Sequence, residues 1–341
     1  MDPLTHALTG AAIAAALVPE GQQRRMALAG AVVAVAPDVD IFLGSAADPL
    51  VALELHRHFT HSLVFAPVLA AIGAALATFW CALSWRRATL VLLPAALSAG
   101  LLDACTSYGT HLLWPFTDAR TAWSVVAVLD PVITLIMAVS LVVTLVGTRA
   151  TAAVAGLTLA CAYLLAGAVQ HERAAWAVRS LADTRGHDME RVVVKPTLAN
   201  LLLWRTMYES AGTLHVAAIR VGWPGDVTVY PGDAAEMLAP ADTGLPAAST
   251  GYLDIERFAR LADGFLIRHP SRENVVGDAR FAMQPDRLSP MFAIEVNPAR
   301  PQQHVRYVEL RERPADAWKR FKAMLAGIPL PAPVNGRADT I

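Results

Sequence analysis

The sequence predicts an all-α polytopic membrane helix bundle of about six helices, followed by a C-terminal soluble α+β domain. Three observations carry that expectation. The 341 residues are 55% apolar and only 17% charged, which is apolar for a water-soluble chain. Charge is also unevenly spread: residues 1–170 hold seven Arg, no Lys and nine acidic residues, and 171–341 hold the other 21 basic and 20 acidic side chains. Long apolar runs, finally, fill the first half only. The domains are therefore drawn at 1–170, transmembrane and helical, and 171–341, soluble. The abrupt change in composition implies that the second is separable from the first.

Six apolar segments are candidates to span. Four, at 62–83, 88–104, 127–147 and 151–169, approach the roughly 20 residues that a bilayer requires. Two more, at 4–18 and 26–43, are short or interrupted by Pro37-Asp38-Val39-Asp40. Small residues recur in most of the six, as close helix packing in lipid requires. The N-terminus has neither the basic n-region nor the cleavage site of a signal peptide, so the first helix is expected to stay. Five of the seven arginines lie in short loops, at Arg24-Arg25, Arg86-Arg87 and Arg149. The positive-inside rule makes all three loops cytoplasmic. That threading puts the N-terminus, the loops around 44–61 and 105–126, and the C-terminal half on the outer side, which is periplasm in a two-membrane bacterium.

In the second half, β-rich runs at 191–194, 214–221 and 227–230 alternate with helix-like stretches at 253–265 and 315–325. The Pro-rich end, 329–341, reads as a loose tail. Neither half has a concentrated basic face, so nucleic acid is not an expected partner. Cys81, Cys105 and Cys161 have no metal-binding spacing and read as packing residues.

Ionisable side chains at apolar helix ends are costly and point to function. The first half holds His6, Asp38, Asp40, His56, His58, His61, Asp103 and His111. The threading, fixed by arginines alone, places all eight on the outer side. Imidazoles and carboxylates without Cys suit a hydrolytic divalent-metal site, where open positions remain for water. A lone Asp in such a place more often caps a helix, and His6 alone could equally bond a neighbouring helix. It is the set together that favours ligation.

Several short motifs recur together: Leu4-Thr5-His6-Ala7-Leu8, Pro37-Asp38-Val39-Asp40, His56-Arg57 with Thr60-His61-Ser62, and Leu102-Asp103 with Thr106-Ser107-Tyr108-Gly109-Thr110. In combination, over roughly residues 1–145, they resemble the YdjM-type family of membrane-bound metal-dependent hydrolases. Pro196, Asn200 and Trp204-Arg205 resemble a soluble extension of some members. The family is distantly similar to zinc-dependent phospholipase C. The resemblance implies ligand roles for His6, Asp38, Asp40, His56, His61 and Asp103, a divalent metal (zinc first, manganese as the alternative), and a phosphoester substrate. Position 58 is commonly Gly in that family and position 111 often Gln. Some relatives carry a His where this chain has Ala99, and His58 is a candidate replacement.

The expectation is a hydrolase of the inner membrane, a phosphoesterase acting on a lipid or other amphiphile at its outer face. Asp38 and Asp40 are candidates to bridge ions or take a proton, and Arg57 to hold an anionic group through its planar fork. Thr60, Ser62, Thr106 and Tyr108 are candidate orienting donors. The competing class is non-catalytic, a transporter or scaffold with an ion site. A transporter would place its ionisable groups near mid-bilayer, whereas these lie toward one side. The sequence leaves the oligomeric state open.

Overall fold

A computed structural model describes residues 1–147, 149–311 and 316–331. The end of the expected loose tail, 332–341, lies outside the described residues. The chain forms two units. One comprises Met1–Leu43, Leu55–Val169 and Leu198–Asn200; the other comprises Gly44–Glu54, Gln170–Thr197 and the chain from Leu201 onward.

The first unit is helical. Helix α1 (Pro3–Ala16) starts at Asp2, whose carboxylate accepts from Thr5 N at 3.0 Å and Thr5 Oγ1 at 2.7 Å, satisfying donors that a helix start leaves bare. It crosses α2 (Gln23–Val35) at Gly10 and Gly30. A Cβ on Gly10 would sit 2.4 Å from Gly30 O, and one on Gly30 would sit 2.3 Å from Gly10 O, so only glycine lets the backbones touch. A 3-10 helix, Ala36–Phe42, follows α2 and carries Asp38 and Asp40. After α3 (Val51–Leu55), all but its last residue in the second unit, and a 3-10 turn, Phe59–His61, helix α4 (Ala66–Ala77) packs a row of Ala66, Ala70, Ala74 and Ala77 against Ala88, Leu92 and Ala96 of α5 (Trp85–Ala104). Asp130 caps α6 (Pro131–Gly147), accepting from Val132 N at 2.9 Å and from Tyr163 Oη at 3.0 Å. Helix α7 (Ala150–Thr184) runs from this unit into the second.

The expected six spans are not all present as full spans. Among the described residues two helices, α5 and α7, are long and apolar enough to cross a membrane, or up to three if one pair bent by 72° counts as a broken span. Helices α1, α2 and α4 have 14, 13 and 12 residues. At 1.5 Å per residue they reach about 18–21 Å against a hydrocarbon core of about 30 Å. Hydropathy registers apolar composition, but Pro37 ends the regular part of α2 at Val35, and α4 occupies only Ala66–Ala77 of the 62–83 run.

The second unit is α+β, as expected. Strands β1 (Arg191–Pro196), β2 (Leu203–Ser210), β3 (Thr213–Val221) and β4 (Val227–Glu236) form an antiparallel meander in sequence order. A second antiparallel sheet holds β5 (Leu266–Arg268), β6 (Val275–Asp278), β7 (Phe292–Glu295) and β8 (Arg306–Glu309). Helices α8 (Thr250–Leu261) and α9 (Ala317–Leu325) complete it. Buried Arg205 donates to the carbonyls of Ala279, Gln284, Pro285 and Arg287 at 2.8–3.2 Å, a structural cage that satisfies the guanidinium.

Segment 44–54 belongs to this second unit although it is encoded inside the first half. Leu50 is fully buried in a core with Leu238, Ile255, Phe258, Leu266 and Ile294. Arg257 of α8 holds Glu54 bidentately at 2.8 and 2.7 Å, and reaches Asp48 at 2.8 Å and Asp254 at 3.0 Å. Asp48, Asp254 and His304 have ligand-like proximity. The Arg257 cation lies on both carboxylates, so the group is an ion-pair network.

Candidate metal centre

Asp103, at the C-terminal end of α5, is fully buried and gathers the site. Its approach depends on Gly100, three residues earlier on the same helix face: a Cβ there would lie 2.2 Å from His61 O. Helix α5 can therefore press directly on the turn that carries His61. Asp103 Oδ1 lies 3.2 Å from His6 Nε2 and against the Met1 α-ammonium; Oδ2 lies 3.2 Å from His61 Nε2 and 3.0 Å from Arg57 Nε. His61 Nε2 is also 3.3 Å from Asp38 Oδ1. Ligand atoms of His6, Asp38 and Asp103 all fall within 4.8 Å of one another.

Behind these groups stands Asp40. Its carboxylate accepts from Arg57 N at 2.7 Å, Thr60 Oγ1 at 3.0 Å and His56 Nδ1 at 3.0 Å, and lies 3.3 Å from His61 Nδ1. Asp40 thus faces the far nitrogen of His61, the carboxylate–histidine relay that orients imidazole ligands. The left-handed backbone of Arg57, φ 57°, is a strained conformation for a residue with a side chain. Donation of its N–H to Asp40 holds it.

The sequence-selected residues separate into groups. His6, Asp38, His61 and Asp103 come together. Asp40 lies behind His61, and His56 turns Nδ1 to Asp40 while its ring packs 5.4 Å from Tyr108. Arg57 is buried, with Nη1 donating to Thr106 Oγ1 at 3.3 Å and Nη2 to Met1 O at 2.9 Å. Its fork is engaged within the protein, and its charge is set against Asp103. His58 and His111 pair with each other, ring centroids 4.4 Å apart, and Ala99 is a buried helix residue. Composition and motif give no sign of the Met1 backbone, which brings both an amino group and a carbonyl to the cluster, or of the close approach at Gly100. Position alone, a Gly one turn before Asp103, is the available signal for the latter.

The donor set fits a divalent ion. Two imidazoles and two carboxylates are standard ligands for zinc and its neighbours. Asp38 Oδ2 is buried without a hydrogen-bond partner, a costly condition for a polar atom that metal ligation would relieve.

Apolar helices around a buried His/Asp cluster define a helical membrane protein with a candidate metal centre. The chain belongs to the YdjM inner membrane protein family, whose model matches residues 1–174 and so includes every residue of the cluster. It is also 33% identical over 129 residues, 37% of this chain and 75% of the relative, to the inner membrane protein YbcI of Escherichia coli (strain K12). No solved structure matches it. The protein is accordingly one of the bacterial inner membrane.

Proposed function

We propose that the chain is a membrane-embedded metal-dependent hydrolase, a phosphoesterase acting on a lipid-like substrate at the outer face of the inner membrane. One observation carries the reading: His6, Asp38, His61 and Asp103, from four separate segments, converge where a buried carboxylate oxygen, Asp38 Oδ2, has no hydrogen-bond partner. In this reading these four hold the ion, zinc or manganese. Bound there, the ion supplies water activated near neutral pH and polarises the bond under attack. Asp40 fixes the His61 ring. Arg57 and the Met1 ammonium balance the carboxylates. Asp38, whose side chain is the one partly exposed at 13%, is placed to accept a proton from an entering water.

An amphiphilic substrate is supported by an open groove of about 490 Å³ lined by Ala7, Ala31, Val32, Val35, Ala36 and Val39. It is wholly apolar, and its lining residues adjoin His6 and flank Asp38 in sequence. The expected result is that zinc- or manganese-loaded protein cleaves at least one member of a panel of long-chain phosphodiesters, and that chelation abolishes the activity reversibly. Carboxylic esters and amides belong in the panel, because activated water attacks those bonds too. Metal-loaded, folded protein that binds lipid yet cleaves nothing would contradict the reading and favour an ion-binding or scaffold role.

The outward orientation rests on the two full-length helices. Both α5 and α7 have arginine at or just before their N-terminal ends, Arg86-Arg87 and Arg149, and such charge stays inside. Asp103 then falls at the outer end of α5, the shorter apolar helix α6 has to return the chain inward, and α7 leads it outward again. A reporter fused after Ile341 is expected to be active only outside the cytoplasm. Activity confined to the cytoplasm would reverse the orientation.

A further inference from the structure

We propose that His58 and His111 form a second, nitrogen-only site for an imidazole-preferring divalent ion such as Zn²⁺ or Cu²⁺. Their ring centroids are 4.4 Å apart at an interplanar angle of 46°. With metal–nitrogen bonds of about 2.0 Å, two imidazoles sharing one ion have centroids about 4.5 Å apart at a ligand angle of about 90° and about 5.2 Å apart at a tetrahedral angle, so the observed spacing is that of a right-angled pair. An angle of 46° is neither the parallel nor the edge-on arrangement that ring packing favours. Both Nδ1 atoms are buried and have no hydrogen-bond partner, so packing alone leaves two polar atoms unsatisfied.

The pair is held in place by backbone bonds. His111 N and Thr110 Oγ1 both donate to Arg57 O, at 3.1 and 2.9 Å, and His58 N donates to Leu55 O at 3.2 Å. Trp114 walls the pair, its ring 5.8 Å from that of His58. Burial, reinforced by the charge of Arg120, pushes His111 down to about 4, so its ring is neutral at pH 7. Exposed Asp118 acts electrostatically on both rings and supplies the nearby negative charge. Two imidazoles without a carboxylate select Zn²⁺ or Cu²⁺ over Mn²⁺ or Mg²⁺, unlike the carboxylate-rich cluster at Asp103. The inference stands apart from the phosphoesterase reading, since it requires only these two rings.

The test uses full-length, metal-stripped protein in detergent. Zn²⁺ is counted after dialysis, and Cu²⁺ is followed by electron paramagnetic resonance. The expected result is that His58→Gln with His111→Gln loses one equivalent of Zn²⁺ and its nitrogen hyperfine pattern of paired imidazoles, while His61→Ala loses only the ion of the Asp103 cluster and keeps the His58–His111 equivalent, so that the two losses add in the triple variant. His111→Gln alone, the gentler change, is expected to weaken binding about tenfold or more. Equal stoichiometry and spectra in wild type and the Gln variants would overturn the proposal and leave a packed ring pair. If the His58/His111 and His61 changes together lose no more Zn²⁺ than either alone, the proposal is overturned too, and the histidines belong to a single centre.

Discussion

Asp103→Ala is expected to be the most damaging single substitution in the helical unit, removing metal binding and destabilising the fold together. Asp103 has no exposed surface and faces His6, His61, Arg57 and the Met1 ammonium. Its removal strands the buried Arg57 guanidinium, and breaking a buried pair from one side costs about 3–5 kcal/mol. That is a large part of a typical total of about 5–15 kcal/mol. Asp103→Asn keeps the shape and one acceptor, so it is expected to fold while binding metal poorly. Thermal unfolding and metal content, measured on both variants, separate the two effects. Wild-type stability and stoichiometry in Asp103→Ala would remove this residue from the centre of the account.

The second large effect concerns the isolated C-terminal segment, 171–341. Composition implies that it can stand alone, but the second unit includes residues 44–54. Cutting at 171 empties the place of Leu50 among Leu238, Ile255, Phe258 and Ile294, and losing a buried leucine costs about 2–5 kcal/mol. Arg257 loses Glu54 and Asp48 and keeps only Asp254. The segment alone is expected to be insoluble or loosely packed. The same segment with residues 44–54 joined through a flexible linker is expected to fold cooperatively. Cooperative unfolding of 171–341 without the graft, at the temperature of the grafted form, would show that 44–54 is dispensable.

Much of the site was legible because its chemistry is conspicuous. An Asp or His beside an apolar run is conspicuous by type, and His6, Asp38, His61 and Asp103 are four of the eight so marked, with the set rather than any one residue favouring ligation. Their division of labour was not legible. Whether a carboxylate faces the centre or stands behind a histidine depends on turn geometry, and only the left-handed backbone at Arg57 brings Asp40 behind His61. Arg57 read as an anion clamp for the same reason: the Met1 carbonyl and Thr106 that engage its fork are distant in sequence.

The fold shows a similar limit. Strands β1, β3 and β4 coincide with runs seen in the sequence, but β2 is buried along nearly its whole length, Arg205 included, and so lacks the polar–apolar alternation that betrays a half-buried strand. Strands β5 to β8 have only three or four residues each, too few to establish a period. Span counting failed for a different reason. Apolar composition at 4–18 and 26–43 is real, yet the helices within those stretches stop at Ala16 and Val35. Segment 44–54 mixes apolar and acidic residues like any surface loop. Its partner Arg257 lies some 200 positions away, at a separation of 203 from Glu54, beyond the reach of local pattern.

The central claim is that His6, Asp38, His61 and Asp103 hold a divalent ion, and metal quantification with X-ray absorption on full-length protein purified in detergent tests it most directly. Protein supplied with zinc is expected to retain at least one ion per chain, with nitrogen and oxygen neighbours at about 2.0–2.2 Å and no sulfur. His61→Ala and Asp103→Asn, each with wild-type helix content, are expected to lose that ion. Folded wild-type protein that retains no metal, or variants that retain as much as the wild type, would contradict the account.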